Sequence, residues 1–472
     1  MTDARIPERI YDLAVIGAGS AGFSAAITAA EAGARVALIG HGEIGGTCVN
    51  VGCVPSKTLI RSVEILYQAR AAARFPGISA EARLADWRAV KQAKNDLVSS
   101  LRQAKYADLL PHYDTIDYIA GQARLEAGGV IVDDAPLKAG KIIIATGSAP
   151  AVPMIEGLDD ISWLTSTTTF ELDRLPRSVV VIGAGYIGCE IAQMLARAGV
   201  MVSLVCRSRL LPAGEPEIST ALAGYLGDEG VRIIDGISYK AVRRDGAGIV
   251  LALERDGEPE AIKAERLILA TGRRPNSDGL GLEAAGITRA PGGGIVVDEH
   301  METGAPGIYA AGDVTGRDQF VYMAAYGAKI AAHNALGGNS RCYDNRAMPA
   351  VVFTDPQVAS VGLTEARARA RGFAVKTSVL PLSSVPRALA ARDVRGLIKL
   401  VADAADDRLL GAHILAPEGA DSIQTAALAI QQGLTTRALA DMIAPYLTTV
   451  EGLKLAAQTF DKDVAKLSCC AG

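Results

Sequence analysis

The chain carries one glycine-rich pattern twice, and that repeat limits the folds open to it. Asp12 to Gly40 reads DLAVIGAGSAGFSAAITAAEAGARVALIG, and Ser178 to Cys206 reads SVVVIGAGYIGCEIAQMLARAGVMVSLVC. Gly17, Gly19 and Gly22 of the first copy answer to Gly183, Gly185 and Gly188 of the second. Each copy is an apolar run, a Gly-rich turn, an Ala-rich helical stretch and a second apolar run, which is the opening of a dinucleotide-binding βαβ unit. The first two glycines tighten the turn and let backbone approach a pyrophosphate at the helix N-terminus, and the third permits close helix-to-strand packing. Two such motifs in strand-turn-helix-strand context predict two dinucleotide sites, against the blander alternative of Gly-rich helix packing.

The remaining segments fit around that repeat. KIIIATGSAP (141–150) and RLILATGRRP (266–275) are buried strands ending in small-residue turns, and GIYAAGD (307–313) is a strand delivering an acid at its C-terminal end, where α/β ligand sites lie. Val54 to Ala107 is mostly helical in pattern. From Met348 onward AVVF, ASVGL, GLIKLVAD and LLGAHILA alternate as antiparallel strands do, with two apolar helices after them. The predicted class is α/β: a discontinuous first dinucleotide domain (1–152 and 276–345), a second (153–275), and a C-terminal α+β domain (346–472). A chain of 472 residues has room for about three domains.

Composition narrows the partners. With 49% hydrophobic and 21% charged residues the chain is globular, and a net charge of -4 without a polybasic run speaks against nucleic acid or an anionic membrane. No apolar segment has the length and freedom from charge of a membrane span or an export signal, so a cytoplasmic location is expected.

Seven cysteines are an odd number for a disulfide framework. Cys189, Cys206 and Cys342 stand alone and are read as packed or incidental thiols. Cys48 and Cys53 lie in GGTCVNVGCVPSK at the mouth of a helix, where first-turn amides favour a thiolate and Lys57 adds positive charge. That spacing suits a reversible disulfide. A zinc half-site is the competing reading, but no CxxC or paired His follows to complete it.

GGTCVNVGCVPSK, with the first GxGxxG, both ATG turns, GYIGCE and YAAGD, resembles the pyridine nucleotide-disulfide oxidoreductases over nearly the whole chain. The resemblance implies two Rossmann-like domains of the glutathione reductase type and a C-terminal dimerisation domain. It implies FAD in the first site, with Asp313 on the ribityl, Lys57 near flavin N5 paired to Glu190, and Gly22, Gly42, Thr47, Ala123 and Val321 lining the cofactor. One departure is plain: Gly40-His41 stands where the acid for the adenosine ribose is expected, leaving Glu43 or water as substitutes.

The second site offers Arg207, Ser208 and Arg209 where an NAD site wants an acid, so NADPH is expected; two solvated surface arginines are the plainer alternative. Tyr186 resembles the aromatic gate that covers the flavin, or else simply packs. Tyr446 stands where the family's disulfide reductases carry an acid-base histidine, although Glu451 keeps its spacing. The tail instead holds Cys469 and Cys470, and soft thiolate pairs select soft ions such as Hg(II).

LTTVEGLKLAAQTFDKDVAKLSCCAG and MPAVVFTDPQVASVG resemble the Hg(II)-reducing members of the family. The resemblance implies a homodimer that takes Hg(II) from thiol complexes on Cys469 and Cys470 of the partner subunit, passes it to Cys48 and Cys53 with Tyr186 and Tyr446 flanking, and reduces it to Hg(0). The N-terminal CxxC heavy-metal domain frequent in such proteins is not expected here, since Cys48 is the first cysteine, and a separate mercury-delivering protein is left as a further partner. The alternatives are an NADPH-dependent disulfide reductase, in which the tail thiols act as a redox relay, and a non-catalytic thiophilic-metal binding protein.

Overall fold

In the computed structural model, which describes residues 9–126 and 129–466, the first repeat forms strand β1 (Ile10–Ile16), helix α1 (Ser20–Glu31) and strand β2 (Val36–Gly40). Strand β1 pairs in parallel with β2 on one side and with Ala135–Ile144 on the other, which explains its near-continuous apolar run. Strand β3 (Ile116–Ala120) extends the sheet beyond β2, and Ile308–Ala310 lies parallel to Ala135–Ile144. The acid-bearing segment Gly307 to Asp313 thus reaches the same sheet as the first glycine motif.

The described chain divides into two compact units. The first takes residues up to Leu59, Arg88–Ala151 and Gly272–Asp344; the second takes Ile60–Trp87, Val152–Thr271 and the residues from Asn345 onward. The second unit contains the C-terminal domain and the expected second dinucleotide domain up to Thr271, with residues 272–275 falling in the first unit, and adds Ile60–Trp87.

Within the second unit, Ser178–Ile182 is central to a five-stranded parallel sheet, flanked by Met201–Val205 and Arg266–Leu269. A three-stranded antiparallel sheet, Ile237–Asp245 to Ala264, packs a shared apolar core with it. A separate core lies under the C-terminal five-stranded antiparallel sheet, in the order Pro349–Val352, Gln357–Gly362, Leu409–Ala416, Leu397–Asp403, Val375–Pro381. Four of these strands are legible as alternating runs; the fifth, VKTSVLP, mixes polar residues into both faces. Two short helices, Glu365–Ala370 and Pro386–Ala390, lie between its strands, and three follow them: Gly419–Gln431, Thr436–Asp441 and Thr449–Gln458. Thr436–Asp441 is a six-residue helix too short to show a period, hence the sequence reading of two.

Buried charge ties parts of the second unit together. Lys399, almost fully buried, reaches Glu215 at 2.9 Å, Glu217 at 2.8 Å and Glu365 at 2.9 Å. Among the described residues no helix is long and apolar enough to cross a membrane.

Candidate functional site

The glycine motif is fixed by close packing. A Cβ on Gly17 (φ +119°) would stand 2.2 Å from the Ala145 carbonyl oxygen, and one on Gly22 would stand 1.7 Å from the Gly17 oxygen. Neither position tolerates a side chain. The second copy repeats both constraints, with Gly183 against the Ala270 oxygen at 2.4 Å and Gly188 against the Gly183 oxygen at 1.8 Å. Ala145 and Ala270 open the two ATG turns, so each ATG is the backbone surface on which its glycine motif packs.

Gly19 and Gly185 differ. Both are N-caps with negative φ, and a Cβ would meet nothing closer than 3.5 Å at Gly19 and nothing within 4 Å at Gly185. Neither backbone conformation nor protein packing calls for glycine there; an approaching phosphate at the helix N-terminus does. The residues present therefore fit a dinucleotide in each unit.

In the first unit, α2 (Gly46–Asn50) holds Cys48, and Cys53 opens α3 (Cys53–Arg70). Asn50 locks the short helix by donating to the Ile44 and Gly46 carbonyls at 2.9 and 3.0 Å. Cys48 is half-buried, Cys53 is exposed, and both are thiols. The hydrogen bond that the Cys48 thiol donates to Cys53, with burial and the neighbouring sulfur's charge, pushes that thiol well up, and Lys57 opposes the rise. Cys53 instead sits where the α3 N-terminus favours a thiolate.

Asp313 follows Ile308–Ala310, in the turn Gly312–Thr315. Gly312 brings that turn onto α1, where a Cβ would be 3.1 Å from the Ala21 Cβ. Asp313 Oδ2 accepts from Ser148 Oγ at 2.6 Å, and Arg273 donates to the same Ser148 oxygen at 2.7 Å. Asp313 Oδ1 has no partner among the described residues, which suits an acceptor for a ligand hydroxyl.

Of the other expected cofactor contacts, Gly42 (φ +81°) and Thr47 are exposed, Val321 begins the helix Val321–Gly337, and Ala123 is buried at the start of Ala123–Glu126. Glu43, one proposed substitute for the ribose acid, is turned to Arg102 at 2.5 Å. Arg273, whose environment includes Cys53, and Tyr106, whose environment includes both sulfurs, are neighbours that the sequence reading missed. Arg273 was legible as the residue after the second ATG; Tyr106 carried no signal.

In the second unit, Tyr186 opens the helix Tyr186–Arg197; burial pushes its phenol up, and a hydrogen bond donated by Ser360 opposes that. Glu190 is buried and accepts the Phe353 amide at 2.9 Å. Arg209 donates to the carbonyls of Pro212 and Gly214 at 3.0 and 2.8 Å, leaving its Nη1 buried without a partner, while Arg207 and Ser208 are exposed. Cys206 at the strand end is buried with its thiol on the Ser208 carbonyl. Tyr446 is exposed, and buried Glu451 accepts the Leu447 amide.

Cys469 and Cys470 lie outside the described residues. Cys342, read as incidental, is exposed and comes together with Glu299 and His300 within 4.8 Å.

Comparison with known proteins agrees with this arrangement. Residues 11–332 match the family model for pyridine nucleotide-disulphide oxidoreductases, and residues 348–457 match that family's dimerisation domain. A mercuric reductase of Streptomyces lividans is 47% identical over 471 residues, covering 98% of each chain. One of Staphylococcus aureus is 46% identical over 464 residues, covering 98% of this chain and 84% of the relative. Among solved structures, the Cu(II) complex of the HOCl-induced flavoprotein disulfide reductase RclA from Escherichia coli matches with a TM-score of 0.83 at 31% identity, covering 96% of this chain and 99% of that one. On its glycine motifs, its cysteine pair and these relatives, the chain belongs to the pyridine nucleotide-disulphide oxidoreductase family.

Proposed function

We propose that this protein is a homodimeric FAD enzyme that reduces Hg(II) to Hg(0) with NADPH. One observation carries the reading: two hydrogen-bonded thiols, Cys48 and Cys53, stand at a helix mouth in the same unit as a glycine cradle that fits a dinucleotide. The mercuric reductase relatives supply the substrate class.

Bound flavin supplies two-electron transfer between nicotinamide and sulfur. In the first unit Gly17, Gly19 and Gly22 receive its pyrophosphate and Asp313 a ribityl hydroxyl. In the second, Gly183, Gly185 and Gly188 receive the NADPH pyrophosphate and Arg207 its 2'-phosphate, with Arg209 shaping the neighbouring loop. Lys57 adds positive charge beside the sulfurs. Tyr186 acts as the aromatic gate and Tyr446 flanks the incoming ion.

Cys469 and Cys470 of the partner subunit collect Hg(II) from solution thiols and hand it to Cys48 and Cys53 by thiolate exchange. Reduction then balances as NADPH + Hg(II) → NADP+ + H+ + Hg(0). Exposed Tyr446 provides no imidazole for protonating an organic thiolate, which favours a metal ion over an organic disulfide.

The test is anaerobic NADPH oxidation with Hg(II) and excess thiol, run beside glutathione disulfide and lipoamide. Stoichiometric NADPH loss with release of Hg(0) is expected only with Hg(II). Faster turnover of a disulfide would instead make the protein a disulfide reductase. Tight Hg(II) binding without NADPH oxidation would make it a metal-binding protein.

A further inference from the structure

At the end of β2, where a dinucleotide site ordinarily presents a ribose-binding acid, this chain has Gly40. Its φ lies outside the left-handed region, so backbone conformation does not require glycine. Space does. A Cβ at Gly40 would stand 2.6 Å from the Tyr118 hydroxyl, 2.9 Å from Tyr118 Cε2 and 2.8 Å from the Ala18 Cβ.

The register explains the approach. Tyr118 on β3 pairs with Leu38 and Ala120 pairs with Gly40, so Tyr118 and Gly40 share one face of the sheet. That face also carries Leu38, whose Cδ1 lies toward Gly22 of the motif. Tyr118 therefore reaches the strand end, where its oxygen and the Ala18 Cβ, from the turn between Gly17 and Gly19, both crowd the space beside Gly40.

Nearby acids are engaged elsewhere. Glu43 is paired with Arg102, and Asp117 accepts from Tyr11 at 2.8 Å. The Tyr118 hydroxyl has no hydrogen-bond partner among the described residues, and burial pushes its phenol up, so it stays protonated as a donor.

We propose that Tyr118 replaces the missing strand-end acid, its neutral hydroxyl bonding the adenosine ribose of the dinucleotide held by the first unit. Gly40 and Tyr118 then form one coupled device: the small residue clears the space that the phenol enters. The inference rests on the reading of FAD in that unit.

The experiment compares wild type, Tyr118→Phe, Gly40→Glu and the double variant Gly40→Glu with Tyr118→Val. Each apoprotein is titrated with FAD and with FAD lacking the 2'-hydroxyl of its adenosine ribose, following flavin fluorescence; circular dichroism checks folding. A neutral hydrogen bond of ordinary strength gives wild type a preference for FAD over the deoxy form of about fivefold. Tyr118→Phe should weaken FAD by that factor and bind both flavins equally. Gly40→Glu should lose affinity through collision with the phenol and with the Ala18 Cβ, and the double variant, which still meets the Ala18 Cβ, should recover affinity and preference only in part. If Tyr118→Phe keeps wild-type affinity and preference, Tyr118 only fills space and the proposal falls. A wild-type protein that takes up FMN as well as FAD, or takes up neither, overturns the FAD reading itself, whatever Tyr118 does.

Discussion

Glu451 Oε2 accepts the Leu447 amide at 3.0 Å, and the Glu451 amide is in turn bonded to Thr448 Oγ1 at 3.2 Å. The carboxylate keeps the spacing at which the family's disulfide reductases hold an imidazole, yet here it pins backbone directly after exposed Tyr446. Leu447 has φ +60°, a conformation that leucine adopts only when its surroundings hold it there. Glu451→Ala should therefore free the 446–448 turn and cost about 1–3 kcal/mol through the lost partner of the amide. Glu451→Gln, which keeps an acceptor oxygen, should cost much less. Hydrogen exchange at the Leu447 amide reads both outcomes, and equal protection in all three proteins would sink the assignment.

The cysteine pair gives a pH prediction with a definite sign. The Cys48 thiol is held up first by the hydrogen bond it donates to Cys53, then by burial, then by the neighbouring sulfur's charge. Removing Cys53 takes away the first and third causes and leaves Lys57 nearby. In Cys53→Ala the pH profile for alkylation of Cys48, followed by peptide mass spectrometry on the reduced protein, should move to lower pH. A profile unchanged from wild type would mean that burial alone sets the Cys48 thiol.

Arg207 and Arg209 should separate. Arg207 is exposed and makes no ion pair among the described residues, whereas Arg209 is bound to the Pro212 and Gly214 carbonyls. Arg207→Ala should raise KM for NADPH about tenfold, the scale of one charge-assisted hydrogen bond, with little effect on NADH. Arg209→Ala should weaken both cofactors, because it loosens the loop. Parallel steady-state titrations with the two nucleotides decide; equal losses in Arg207→Ala would remove the basis for a 2'-phosphate site there.

The tail thiols are expected to deliver the ion without carrying electrons. Cys469→Ala with Cys470→Ala should cripple turnover of Hg(II) held by bulky dithiols, while the inner cysteine pair is still reduced by NADPH at near-normal rates and HgBr2 is still consumed. Failure to reduce the inner disulfide in that variant would make the tail an electron relay. Unchanged turnover of dithiol-bound Hg(II) would leave the pair without a role in delivery.

Lys399 should be a costly charge to remove from the second unit. Lys399→Met leaves Glu215, equally buried, without its cation, a loss of about 3–5 kcal/mol. Against the upward push of burial, the Lys399 hydrogen bond holds Glu217 below the ordinary glutamate range, and Lys399 with Arg369 does the same for Glu365. Depressed carboxylates contribute stability that is complete above their unfolded pKa and disappears as pH falls through the folded one. Wild type should therefore lose stability below the ordinary glutamate range, and Lys399→Met should show a flatter acid limb in urea unfolding followed by circular dichroism. A parallel limb would show that these carboxylates do not set acid stability.

What the sequence determined is what depends on local spacing. Glycines at fixed offsets after an apolar run place two βαβ starts, because turn geometry is set by neighbours along the chain, and Cys48 and Cys53 announce a thiol pair by the same logic. The alternating runs after Met348 read as strands for the same reason. Tertiary structure decided the rest. Val375–Pro381 becomes a strand only because Leu397–Asp403 offers it a pairing edge, which alternation within VKTSVLP does not reveal. Ser148, Arg273 and Asp313 are far apart in sequence and meet only where strand ends converge. Gly40 reads as a missing acid until β3 aligns beside β2 and brings the Tyr118 hydroxyl into the space a side chain would need. Register between strands is fixed by packing across the whole sheet, and no spacing within either strand encodes it.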